Sequence, residues 1–463
     1  MNKVKRDRKG EVDLNTDLTR GSIRKSLILF AIPLLFSQLF QILYNTADTV
    51  IIGHYLGDHA LAAVGSVSPL FELIVGFSNG FGLGFSIIAA QNFGARDLKA
   101  FRKTGGLSVL LCLTIGVIIS AAVGIFMPQI LQILKTRPEL FEMAYSYIIV
   151  IACGLIITIF YNLLSGLMRA AGDSTTPLII LILSSIINIL LDLWFIGGLN
   201  LSVASTAWAT LIAQFCSLFL CLIWVSHRHK ELLPTWSDIR WNAVQARNLL
   251  KMGFSMALMS SIVSIGTLIL QTSINLMSVQ TITGHTAARK LFIILDLPLA
   301  SMTNALSAYV AQNHGSGQIL RLEKGIAFGN RVSLYSSILA EVLVLFGARW
   351  MIATISGSND PEVLNLGSLY LWTNVPFFVF LGVLCNLRTS LQSMSITSIP
   401  VLSSVIELIG KLVFTWFIIP NTGYYGVCFS EPVVWILMTV FLGVFYLKAP
   451  DFKKEKVKPH IFF

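Results

Sequence analysis

Residues 184–192 read SSIINILLD, inside an apolar run from about Pro177 to Trp194. On a helix Asn188 and Asp192, four residues apart, share one face a single turn apart. The run is long enough to cross a lipid bilayer. A carboxylate there is costly unless it faces protein or water, and it marks a functional site by default. A second such carboxylate stands at Asp48.

The surrounding chain has the same character. Of its 463 residues 55% are hydrophobic and only 12% charged, against about 25% charged in a soluble domain. The apolar residues come in blocks of about 18–30, the pattern of a polytopic all-α membrane protein. Twelve spans are expected, near 26–50, 60–88, 104–130, 140–166, 177–196, 203–225, 250–277, 283–311, 325–354, 363–387, 398–419 and 427–447. Residues 1–25 have no apolar core of their own, so no cleavable signal peptide is expected. The six cysteines are scattered, without metal or disulfide spacing, and read as small core residues.

The formal charge of +10 is a matter of topology. With both termini on one side, that side carries 27 of the 33 Lys and Arg residues, and the other only Lys135, Arg137 and Arg349. Arg289, Lys290 and Lys411 lie within spans. The positive-inside rule puts both termini in the cytoplasm of a cell membrane protein, and the excess is no nucleic-acid patch.

The chain repeats itself. Ala90-Gln91-Asn92-Phe93-Gly94 recurs as Ala311-Gln312-Asn313-His314-Gly315, and Lys103 recurs as Lys324 at the same offset. Pro138-Glu139 matches Pro361-Glu362, and Pro177 matches Pro400, at nearly that offset again. The unit is six spans, so two lobes are related by a pseudo-twofold axis along the membrane normal. The expected division is an amino-terminal tail (1–25), a first lobe (26–225), a linker (226–249), a second lobe (250–447) and a carboxy-terminal tail (448–463).

These stretches resemble a known family. LLFSQLFQILYNTADTVIIG (34–53) is similar to the first helix of the multidrug and toxic compound extrusion (MATE) transporters. GLMRAAGDSTTP (166–177) resembles their turn between helices four and five, and INILLD and the doubled AQN-x-G also fit. The resemblance covers about residues 20–447. It implies a twelve-helix exporter that exchanges small organic compounds for protons or sodium ions, with no resident cofactor. It also implies, by likeness to the archaeal and DinF-like members, a cation site in the first lobe at Asp48, Asn162, Asn188, Asp192 and Thr210. Members of another kind carry a glutamate on helix seven; residues 250–277 contain no acid.

Two carboxylates sharing a low-dielectric cavity repel one another, so a proton or a sodium ion bound at Asp48 and Asp192 suits them equally. The bland reading is that both are merely solvated near the outer ends of their helices. Asn162, Asn188 and Thr210 could instead be interhelical glue. Tyr44 and Asn45 are candidate partners of Asp48. In the second lobe Glu407, Lys411 and Thr415 replace Ser184, Asn188 and Asp192. Glu407 and Lys411 are spaced for an ion pair, read either as a buried structural bridge or as a polar anchor of the substrate cavity. Arg289 and Asp296, seven apart on one face, are read as partners within or between lobes ahead of substrate contact. Glu341 and Glu431 receive no role, and His54, His59 and His285, near the outer ends of spans, read as interface residues.

No G-x-x-x-x-G-K-[ST] is present and no enzymatic constellation emerges, so the energy source is an ion gradient or an attached partner. The primary expectation is a monomeric multidrug antiporter with a cationic or amphipathic substrate. The alternative is a flippase for lipid-linked oligosaccharides or similar precursors, and a non-transporting scaffold ranks third.

Overall fold

The computed structural model describes residues 17–133, 137–228 and 230–462. Residues 1–16 of the expected tail, and Lys135, lie outside the described residues. The first lobe comprises α1 (Ile23–Gly94), α2 (Leu98–Ile133), α3 (Pro138–Ala170), α4 (Thr175–Asp192) and α5 (Ala204–Arg228). The second comprises α6 (Ala243–Ile274), α7 (Val279–Gly315), α8 (Ile319–Ser356), α9 (Pro361–Asn374), α10 (Phe378–Ser393), α11 (Ser398–Val413), α12 (Ile419–Thr422) and α13 (Tyr424–Leu447), with α14 (Pro450–Lys454) in the tail. No strand occurs among the described residues.

Twelve transmembrane spans result. α1, 72 residues long, supplies the first two. Residues 51–59, expected as a loop, stay helical except at Gly57, whose φ of +78° suits a residue without Cβ. The reversal needs only that one position. In the second lobe α9 and α10 form one span across a 3-10 turn, and α11 and α12 another across a π segment. The expected linker is partly helical: α6 starts at Ala243 because the Asn242 side chain caps it, accepting from the Gln245 amide at 3.0 Å. An even number of spans puts both termini on one face.

Both fifth spans end alike. α4 runs into a π-helix at Leu193–Gly198, and α11 into one at Phe414–Ile418. Such wide turns are concentrated at functional sites, and Asp192 is the last residue before the first.

The lobes meet where side chains are smallest. A Cβ added to Gly80 would lie 2.5 Å from the Ala257 main chain, and one on Gly84 2.7 Å from that of Gly253. Only small residues let two membrane helices come this close. At the face bearing the termini, the doubled motif closes the interface symmetrically. Gln91 Nε2 donates to the Ser393 carbonyl at 2.7 Å, and Gln312 Nε2 to the Ala170 carbonyl at 2.8 Å. The acceptors, Ala170 and Ser393, are themselves equivalent in the repeat, with the same separation as Pro177 and Pro400.

The packing of the two lobes differs. A single continuous apolar cluster runs through the second lobe, from Leu270 to Phe452, and takes in Leu27, Phe30 and Leu34 at the start of α1. The other buried apolar residues of the first lobe fall into five smaller clusters, two of which also take in second-lobe residues such as Ala257 and Met256 of α6. Cavities lie between them.

Candidate cation site

Asp48 on α1 and Asp192 at the end of α4 come together. Their carboxyl groups face each other closely enough to interact. Asp192 is wholly buried, 0% exposed, and neither of its oxygens has a hydrogen-bond donor among the described residues. Asp48 Oδ1 and Asn188 Oδ1 are buried and unpartnered as well. Four buried acceptor atoms without donors are costly. Two ionised carboxylates only accept, so they can share a proton or a cation but cannot satisfy one another. The donor set is all oxygen, which suits a hard ion.

The rest of the expected set lies beside this pair. Asn188 Nδ2 reaches Thr210 Oγ1 on α5 at 3.5 Å. Asn162, Asn188, Thr210, Tyr44 and Asn45 all line one cavity of about 120 Å³. Asn162 is bound more directly to a residue that sequence reasoning missed, donating to the side-chain oxygen of Asn79 on α1. Tyr147 on α3 was missed too, and lies within electrostatic range of both aspartates. The signal was there: counting down from Asn162 by four, seven and four residues gives Thr158, Ile151 and Tyr147, one helix face. Thr158 on that face donates to Gln214 Oε1 at 2.5 Å. A larger cavity of about 270 Å³ shares Gln41, Asn79, Tyr161 and Asn162 as walls and extends to Asn304 and Ser307 of the second lobe.

Glu407, Lys411, Arg289 and Asp296 line neither of these cavities. Lys411 Nζ donates to Glu407 Oε1 at 3.0 Å, the pair expected from spacing, and to Thr267 Oγ1 at 3.1 Å. The other carboxylate oxygen takes Arg388 Nη2 at 3.4 Å. Arg388, one residue past the span expected over 363–387, is buried on α10, where this carboxylate offsets its charge. Arg289 requires a correction as well. Its ion-pair partner is Glu431 at 3.1 Å, with Tyr370 donating to the same carboxylate at 2.7 Å, while Asp296 stays nearby without an ion pair among the described residues. Glu431, left without a role, is therefore the anchor of this cluster. His285, read as an interface residue, is buried beside it and bonded to the Tyr424 hydroxyl at 3.2 Å.

The family model MatE matches the chain twice, over residues 33–194 and 255–417. The starting points of the two matches are separated as the two copies of the internal repeat are. Over 374 residues the chain is 25% identical to the probable multidrug resistance protein YpnP of Bacillus subtilis, covering 79% of this chain and 82% of that one. Over 396 residues it is 24% identical to the probable multidrug resistance protein NorM of Thermotoga maritima, covering 83% of each. Its fold is that of a crystal structure of MATE in complex with MaL6, with a TM-score of 0.87 at 22% identity over 95% of this chain and 99% of that one.

Proposed function

The chain belongs to the MatE family of membrane transporters, and from that premise we propose that it is a cation-coupled antiporter that exports small organic compounds. One observation carries the reading: Asp192 is fully buried with both oxygens unpartnered, facing Asp48 beside a polar cavity. A proton or sodium ion entering there satisfies the orphaned acceptors, and the lobes then rock to expose the cavities to the other side. The first-lobe site aligns the chain with the archaeal and DinF-like members, and α6 offers no acidic residue for the other kind of site. Names of the relatives point to drugs as substrates. The basic face bearing both termini is the cytoplasmic one, the protein works as a monomer in the cell membrane, and the two lobes are its functional units.

Against the flippase reading stands the charge balance within the spans. Arg289 and Lys411 are each tied to a glutamate, and among the described residues lining the two cavities Arg169 is the one cation, too little positive charge for a chamber that takes a lipid-linked phosphate. The deciding experiment is dye efflux from proteoliposomes under an imposed proton or sodium gradient, with wild type and Asp192→Asn compared. Gradient-driven efflux lost in the variant supports the proposal. Efflux that persists unchanged in Asp192→Asn removes that carboxylate from the mechanism.

A further inference from the structure

The repeat places two segments in equivalent positions, and they differ in charge. At the start of α2 the linker folds over the helix, and its Asp238 pairs with Arg102 at 3.6 Å beside Lys103. At the start of α8, the repeat equivalent of α2, the carboxy-terminal tail occupies the corresponding place. It is held by Glu323, which accepts from the His460 amide at 3.0 Å, and by Asn330, which donates to the Ile461 carbonyl at 2.7 Å. The tail's acid in that place, Glu455, makes no ion pair among the described residues, and beside it stand Lys456 and Lys458.

Between tail and helix lies a groove of about 880 Å³. Lys324, Arg331, Lys456 and Lys458 line it, against Glu323, already engaged with the tail, and Glu455. Arg331 Nε is buried there without an acceptor, while its guanidinium lies over the Phe328 ring at 6.0 Å. A buried Nε–H with no acceptor among the described residues makes this more than a solvated basic face. Beyond it the same face of α8 changes character. Tyr335, Ile338, Val342 and Phe346 continue the line 324, 328, 331 at helical spacing, and all four are exposed apolar or aromatic residues. A basic pocket on the terminus-bearing side thus opens onto an apolar stripe running into the membrane.

We propose that this groove is a binding site for an anionic phospholipid, its phosphate held by Lys324, Arg331, Lys456 and Lys458 and an acyl chain lying along the α8 stripe. Basic pockets at the ends of membrane helices recognise such headgroups, and the adjoining stripe selects a lipid over a free anion. The first lobe has no such site because Asp238 fills the role of the phosphate.

The test is titration of the detergent-purified full chain with phosphatidylglycerol or phosphatidylcholine, reading bound lipid by native mass spectrometry. Wild type should prefer phosphatidylglycerol. Lys324→Gln with Arg331→Gln should weaken that binding by about thirtyfold, two charges at the membrane surface, while Lys324→Arg with Arg331→Lys retains it. Lys456→Gln with Lys458→Gln, both on the exposed tail, provides the same comparison without touching a helix. Equal binding of the two lipids, or no loss in the tail variant, overturns the proposal. Displacement by millimolar inorganic phosphate as efficient as by the lipid overturns it in favour of a free-anion site.

Discussion

Gly94 and Gly315 form a reciprocal contact. Each presents a bare Cα to the main chain of the other's motif, Gly94 to Gln312 and Gly315 to Gln91, and a Cβ at either would overlap the opposing carbonyl. Because the overlap is with backbone, no rotamer change relieves it. Gly94→Ala and Gly315→Ala should each destabilise by about 1–3 kcal/mol, read as a lower melting temperature in detergent. Both should also slow transport, since this contact holds the lobes together on the terminus-bearing face. A double alanine variant that melts and transports like wild type would show that the contact is dispensable.

Asp48→Asn should resemble Asp192→Asn in transport, because each removes half of the proposed ion site. The informative readout is ion release on adding substrate to detergent-solubilised protein, which needs no gradient. Wild type should release protons or sodium, and both variants should release neither. Release from Asp48→Asn at the wild-type level would separate the two carboxylates.

Arg289 and Glu431 should behave differently. Removing one partner strands a charge, so Arg289→Met or Glu431→Gln alone should cost about 3–5 kcal/mol, and the double replacement by apolar residues should recover much of it. Thermal unfolding of the three variants measures this. Equal losses in single and double variants would mean that the Tyr370 and His285 contacts, and not the ion pair, matter.

Asp238 lies outside the spans and gives a pH dependence. Its hydrogen bonds from the Thr235 hydroxyl and amide, then the charges of Arg102 and Lys103, hold its carboxyl below the usual carboxylate range. A folded-state value depressed in this way contributes stability above the unfolded value, about pH 3.9, and loses it as pH falls through the folded one. Linker docking should therefore be constant through neutral and mildly acidic pH and weaken only below about pH 4. Fluorescence of the exposed Trp236 and Trp241, or limited proteolysis of the linker, follows it. In Asp238→Asn the linker should already be loosened at neutral pH.

The spans were legible because membrane crossing demands long apolar runs, and the repeat because the landmarks keep their spacing. The turn at Gly57 was not, since apolar periodicity says nothing about how few residues a reversal needs. Asp48 with Asp192 could be named because an acid in an apolar run has few explanations. The partner of Arg289 could not, because Glu431 lies far along the chain, on α13, and only packing brings it close. Asn79 and Tyr147 were hidden differently: polar residues are common on these helices, and their facing becomes visible only once Asn162 fixes the direction.

The uneven consolidation of apolar side chains divides labour between two halves of common design. Where the interior is one block, a push at any point moves the whole; where it is broken into islands, each can shift past the next at little cost. Amide exchange should thus be slowest through α7, α8 and α10 and faster around α3 and α4. Under the proposed cycle, the half with the paired acids is the pliable one and its twin the frame it moves against.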